Sequence, residues 1–371
     1  MNRRHFLTLS SLGLSPWVLC GAPKRELFDE AINNGLLHLR RTQNPANGSW
    51  SGASINLNGG AIRGGEGGGD PGVSALAVMA FLSAGHVPGE GPHGAAVEKG
   101  IRFVMGSQSK NGLIGTPGGG LTEMYHHGIC TLMLAEAAGM TSGPLAEELN
   151  KRLETAINVI LTGQRKGAHD DRGGWRYQVN GFDADLSVTG WQLLALRAAR
   201  NLGCDVPAEK IQSAVDYVRR CFDRNTGGFR YTVRDRVTVA CTGTGILALE
   251  LCGKEHHKSA EVLAAGKFIL DNDLDPARSH FFYGIYYTSQ AMFQLGDEFW
   301  KQYRKKLHQM LLRLNPPRND GAWYAGSNNA FDDDRWGPNY CTSMAILALT
   351  VEYRYLPIYQ RFEEPIEKDG P

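Results

Sequence analysis

The chain has no long apolar run beyond its first residues, no excess of charge of either sign, and no pair of cysteines at metal-ligand spacing. Past the N-terminus nothing approaches the roughly 20 consecutive apolar residues that cross a bilayer, so no transmembrane segment is expected. The 39 Lys and Arg against 38 Asp and Glu leave a formal charge of +1. With no basic stripe and no interleaving of basic and aromatic residues, no nucleic-acid partner is expected. Seven cysteines in 371 residues form no disulfide framework by spacing, and Cys-x-x-Cys does not occur. Cys130, Cys241 and Cys341 fall among small apolar residues, where a thiol acts as a small buried hydrophobe. The glycine-rich stretches 59–72 and 115–120 lack a Gly-Lys-Ser/Thr ending and a preceding strand. They read as loops at one end of the fold, and no phosphate-bearing cofactor is expected.

What the chain does have is repetition. A small residue, an apolar pair three and four residues on, and often Gln eight residues on recur from Gly35, Gly100, Ala156, Ala214, Ala265 and Leu307. Offsets of three and four place these side chains on one helical face. The eighth position reads Gln43, Gln108, Gln164, Phe222, Asp273 and Asn315. A Gly-x-aromatic often follows, as in Gly48-Ser49-Trp50, Gly173-Gly174-Trp175, Gly227-Gly228-Phe229 and Gly321-Ala322-Trp323, with repeats two and five departing. Each repeat then carries a second helix that is apolar or small nearly all round, such as Val188–Leu196, Cys241–Leu249 and Cys341–Leu349. A helix apolar on every side has protein on every side. Two helical layers are predicted, second helices inside and first helices outside, because no repeat buries its apolar faces alone.

These residues resemble the repeats of the squalene cyclase and protein prenyltransferase superfamily. Gly35…Gln43…Gly48-x-Trp50 and Lys99-Gly100…Phe103-Val104…Gln108 are similar to its Gln-Trp repeat motif, over about Leu27 to Leu356. The resemblance implies an all-α fold, an α6/α6 toroid of six helix pairs with a central cavity opening at the inner helix ends. The repeats run through without a linker, so residues 24–371 are expected to form one domain. Asn2-Arg3-Arg4-His5-Phe6-Leu7 and the mildly apolar stretch to Leu19 resemble a bacterial twin-arginine export signal, here taken as residues 1–23. The mature chain is then expected outside the cytoplasm. Leu19 is too large for the residue that precedes a lipidated cysteine, which makes Cys20 a minor candidate for anchoring.

Counting back from the small-residue column places Asp70, Glu123 and Asp185 at the starts of three inner helices, at one mouth of the cavity if the ring closes. A carboxylate there also caps free amides, and Asp70-Pro71 reads as an N-cap followed by proline. Asp183-x-Asp185 partly resembles the acid motif by which triterpene cyclases protonate an isoprenoid, with Asp185 at the proton donor's place. Leu186 and Ser187 stand where that motif continues, and a helix N-terminus favours an ionised cap at Asp185. Set against the prenyltransferases, Ser187 replaces a zinc-binding cysteine, so no metal is expected. Glu123-Met124-Tyr125-His126-His127 supplies the acid/base candidates near neutral pH, and adjacent histidines diverge by about 100 degrees, so one at most faces the axis. Asp332-Asp333-Asp334-Arg335-Trp336 is either a solvated loop or a second carboxylate cluster, with Asp334 its candidate. Tyr125, Trp191, Tyr286, Tyr287, Trp336 and Tyr340 are the aromatic candidates for lining the cavity or packing the core.

Three functions remain open on these residues. One is binding or transformation of an isoprenoid or lipid-like ligand, with Asp183 and Asp185 as the acid pair and His126 or His127 assisting. The second is a non-catalytic toroid that binds an extracytoplasmic protein, peptide or glycan. The third is a carbohydrate-active α/α barrel. A deep aromatic cavity favours the first, a polar cleft with paired carboxyls the third, and a filled centre the second.

Overall fold

The computed structural model describes residues 22–52, 54–55, 61–62, 69–115, 122–253, 256–278, 280–314, 320–324 and 333–360. Residues 1–21 of the expected export signal lie outside them, while Ala22 and Pro23 already belong to the first helix. Asp332 and parts of both glycine-rich loops also lie outside the described residues, as does the side chain of Asp334.

Twelve α-helices are described. The odd-numbered ones are α1 (Ala22–Thr42), α3 (Gly94–Gly106), α5 (Pro144–Gly163), α7 (Ala208–Arg220), α9 (Ala260–Asp271) and α11 (Asp297–Leu314). The even-numbered ones are α2 (Pro71–Ser83), α4 (Glu123–Gly139), α6 (Leu186–Asn201), α8 (Val239–Cys252), α10 (Phe281–Leu295) and α12 (Asp333–Leu349). A two-residue antiparallel ribbon, Ser54–Ile55 with Ala61–Ile62, lies between α1 and α2. Each even helix packs on the next even helix, and α12 packs back on α2, so the inner ring closes. The odd helices cover it from outside, and α1 seats against α12. Every residue of α2 is buried, as expected of a helix with protein on all sides.

The repeat motif is the fastening. The indole N–H of Trp50, Trp175 and Trp323 donates to the carbonyls of Leu39, Ile160 and Leu311 on the outer helix just before it. The backbone N–H of Trp50, Trp175, Phe229 and Trp323 donates to the hydroxyls of Ser74, Thr189, Thr242 and Thr342 on the inner helix just after it, at 2.9–3.0 Å. Gln43, Gln108 and Gln164 each donate to a carbonyl of their own loop and to one on the next outer helix, Ala96, Arg152 and Lys210 respectively. The small column gives the aromatic wedge its place. A Cβ on Gly100 would stand 2.8 Å from the Trp50 ring, and one on Gly35 would stand 2.8 Å from that of Trp323. The wedge of repeat six therefore seats on the first helix of repeat one, and this closes the ring.

Repeat two does not depart as far as expected. Gly112-Leu113-Ile114 makes the same turn, and the Ile114 N–H donates to His127 Nδ1 at 3.1 Å, where other repeats use Ser or Thr. Repeat five is the true exception, with Gly284 at the hydroxyl position and Leu274 packed against it.

Candidate functional site

The axis of the ring is occupied by aromatic rings. Trp191 on α6 stacks on Tyr286 of α10 with centroids 5.2 Å apart and planes at 10°. Tyr287 meets both edge-on. Helices α6 and α10 are separated in the ring by α8, so these contacts span the interior. All three side chains are at most 1% exposed. Trp191, Tyr286 and Tyr287 are thus core residues in this conformation rather than the lining of an open cavity.

One end is closed by the C-terminal segment. The 3-10 turn Pro357–Tyr359 enters below the aromatic stack, where the hydroxyls of Tyr359 and Tyr286 are 2.9 Å apart. The Ile358 N–H donates to both oxygens of Glu136 on α4. Burial pushes the Glu136 carboxyl up to about 8, and the Ile358 amide only partly opposes it.

The inner helices α2, α4 and α6 begin at the other end, and the sequence-derived candidates gather there in two groups. In the first, Asp70 Oδ1 caps α2 by accepting from the Val73 N–H at 2.9 Å. Its Oδ2 lies 3.4 Å from His126 Nε2. Burial would raise the Asp70 carboxyl, but the imidazole and the Val73 and Gly72 amides outweigh it and hold it below the usual range. His126 Nδ1 is buried and has no hydrogen-bond partner among the described residues. Trp336 meets the His126 ring edge-on at 6.4 Å, and Tyr340, four residues further along α12, is 9% exposed. His127 is different. Its ring joins the Ile114 N–H to the Ala156 carbonyl, and burial lowers it to about 4. With both nitrogens engaged by backbone, His127 is a strut between repeats, and the expected acid/base role has His126 as its only candidate of the pair.

The second group centres on Asp185, the N-cap of α6. Its Oδ1 accepts from the Val188 N–H and from Ser187 Oγ, both at 2.8 Å. Tyr125 on α4 hydrogen-bonds Ser187 Oγ, so hydroxyls run Tyr125–Ser187–Asp185. Asp185 Oδ2 has no hydrogen bond of good geometry among the described residues; Arg176 Nε lies 3.4 Å from it, and the Tyr231 hydroxyl is close enough to help lower the carboxyl. Arg176 also pairs with the exposed Asp183 and lies 5.1 Å and 5.8 Å from the Tyr177 and Tyr231 ring centres. The cap reading of Asp185 fits the geometry, but its carboxyl shifts upward, against the direction that a helix N-terminus favours. Desolvation outweighs the cap amide, Ser187 and Arg176, and the carboxyl rises to about 6. Glu123 serves the loop of repeat three by accepting from the Val179 N–H at 3.1 Å.

Sequence reasoning passed over Ser187 as a donor, and Arg176, Tyr177 and Tyr231 altogether. A signal was present in the paired runs Trp175-Arg176-Tyr177 and Phe229-Arg230-Tyr231, which repeat an Arg-Tyr after the wedge. It also passed over Arg165, whose guanidinium donates to the carbonyls of Gly163, Gln178, Val179 and Asp183 and so holds the loop that presents Asp183 and Asp185. No group of three or more metal-ligating side chains occurs among the described residues. No described helix is long and apolar enough to cross a membrane.

At the level of sequence, no protein-family profile and no curated protein matches the chain. In three dimensions it is similar to the α-1,6-mannanase GH76A of Salegentibacter sp. HEL1_6 solved with α-1,6-mannotriose, with a TM-score of 0.64 and 11% identity over 87% of this chain and 99% of that one. It is similar to a D-mannose isomerase at a TM-score of 0.60 and 12% identity, over 90% of this chain and 100% of that one. It is also similar to the type II terpene cyclase MstE from Scytonema, at a TM-score of 0.54 and 16% identity over 90% of this chain and 99% of that one. At such identities the likeness is one of fold, and that fold is the α/α toroid.

Proposed function

We propose that the protein binds and transforms a carbohydrate at the open mouth of the toroid, outside the cytoplasm, with His126 as the proton-transfer group and Asp70 orienting it. The observation that carries this reading is the Asp70–His126 pair, 3.4 Å apart at the mouth; the filled axis by itself fits a non-catalytic binder and argues only against a ligand along the axis. Trp191, Tyr286, Tyr287 and Tyr359 leave the polar groups of the mouth as the chemistry a ligand meets. An imidazole held by a carboxylate on one nitrogen, with no partner for the other among the described residues, is the arrangement of a general base or acid. Tyr177 and Tyr231 offer ring faces and hydroxyls of the kind that hold sugars. Similarity to a mannanase and a mannose isomerase supports the substrate class, and α-1,6-mannotriose and D-mannose are the first ligands to try.

A second reading, an isoprenoid ligand with Asp185 as acid, is favoured by one observation. The carboxyl stands near 6 and keeps a proton in weakly acidic conditions. MstE supports it as well, since a cyclase of about this chain's extent is a single toroid. Calorimetric titration with α-1,6-mannotriose, D-mannose and a geranylgeranyl dihydroxybenzoate separates the readings. Saturable binding of a sugar, lost in His126→Ala and kept in Trp191→Phe, supports the first. Binding of the prenyl compound alone, lost in Asp185→Asn, replaces it with the second.

A further inference from the structure

Repeat five lacks an aromatic wedge, and a recess of about 430 Å³ lies between α9 and α11 at the same place in the repeat. Its walls include Ile269 and Leu307. Ile269 is the repeat-five counterpart of Leu39, Ile160 and Leu311, whose carbonyls receive the three indole N–H groups. Leu307 is the counterpart of Gly35 and Gly100, against which Trp323 and Trp50 seat. A larger residue in the small column takes up part of the wedge's volume, and the recess is the remainder. Leu274, Tyr303 and Met310 complete its apolar wall. The volume falls within the range of small-molecule pockets.

The charges at its edge are unbalanced. Lys306 pairs with Asp273 at 2.7 Å. Arg313 also borders the recess; its Nε donates to the Gln309 carbonyl, and it has no ion pair among the described residues. We infer that this recess is a binding site for a small aromatic carboxylate. Its ring would enter where four sister repeats place a Trp or Phe of their own, and its carboxylate would meet Arg313. The site is on the outer wall between α9 and α11, includes none of the mouth residues named above, and does not depend on the carbohydrate reading.

Calorimetry and saturation-transfer NMR of the full chain with indole-3-acetate, with indole as the comparator, test this. Expected are saturable binding of indole-3-acetate at one site, its loss in Met310→Trp, and a loss of about tenfold in Arg313→Glu, in keeping with one charge-assisted contact. Arg313 is exposed, so that variant stays informative even if Met310→Trp fails to fold. Absence of saturable binding to the folded wild type overturns the assignment, as does full affinity in a folded Met310→Trp or an unchanged affinity in Arg313→Glu. Equal affinity for indole and indole-3-acetate overturns the carboxylate.

Discussion

Glu136 at the closed end of the toroid and Asp185 at the mouth are both buried carboxyls, and the two are treated differently. At the closed end Glu136 is 1% exposed and receives a single peptide N–H, shared between its oxygens. At the mouth Asp185 is 0% exposed and receives a peptide N–H and a hydroxyl, with a guanidinium 3.4 Å from its other oxygen. Desolvation raises both, to about 8 and about 6 respectively. The difference lies in how many donors oppose it. With so little opposition the closed end keeps its acid neutral and acts as core. The mouth lets its acid ionise at neutral pH, beside a hydroxyl, a peptide N–H and a guanidinium.

Removing the closure should have the largest effect. Tyr359→Ala deletes a ring packed under Tyr286 and Tyr287 and should destabilise the fold by about 3–5 kcal/mol, read from urea unfolding. If the loss stays below about 1 kcal/mol, the tail is an accessory and the two ends are more alike than described here.

The next effect follows pH. A carboxyl raised in the folded state binds more protons there than in the unfolded chain, so its contribution is complete below the unfolded value and is lost as pH rises toward the folded one. For Glu136 the window runs from about 4.5 to about 8, and for Asp185 from about 3.8 to about 6. Glu136→Gln keeps the shape and removes the charge. Its stability relative to wild type should therefore climb with pH through the first window and level off above about 8. A difference that does not change with pH would mean that Glu136 is ionised in the native protein.

His127→Ala leaves the Ile114 N–H and the Ala156 carbonyl without their partner and should cost about 1–3 kcal/mol. His126→Ala, one residue away, removes a ring that makes no backbone bridge and should change stability by less. It should instead abolish ligand turnover at the mouth. Thermal unfolding of the two variants side by side checks this, and equal losses would contradict the division of roles. The smallest effect on stability is expected from Asp185→Asn. Asparagine caps a helix about as well as aspartate and carries no charge, so stability relative to wild type should climb only through the window from about 3.8 to about 6 and stay level above it.

The two helical layers were legible in the sequence because their determinants are local and recur, whereas their closure into a toroid was implied only by the family resemblance. Gly35, Gln43 and Trp50 lie within a few turns of one another, and one copy is weak evidence while six are strong. The site was legible only in part. Spacing placed Asp70, Glu123 and Asp185 at helix starts at one end, since a cap is a property of a single turn. It gave no sign that His127 substitutes for a hydroxyl, because the N–H it accepts from, that of Ile114, belongs to the loop before its helix and not to its own turn. It assigned Trp191, Tyr286 and Tyr287 to a cavity or a core without choosing, because an apolar face has the same pattern in both.

By itself, then, the sequence determined the helices, their pairing and the wedge that links each repeat to the next, all through contacts a few residues to one repeat apart. The tertiary structure alone decided which end is closed, which of two adjacent histidines is held by backbone at both nitrogens, and which acid keeps its proton. Ile358 and Glu136 stand 222 residues apart. Burial at that remove depends on what the closed ring brings together, and a one-dimensional pattern carries no measure of desolvation.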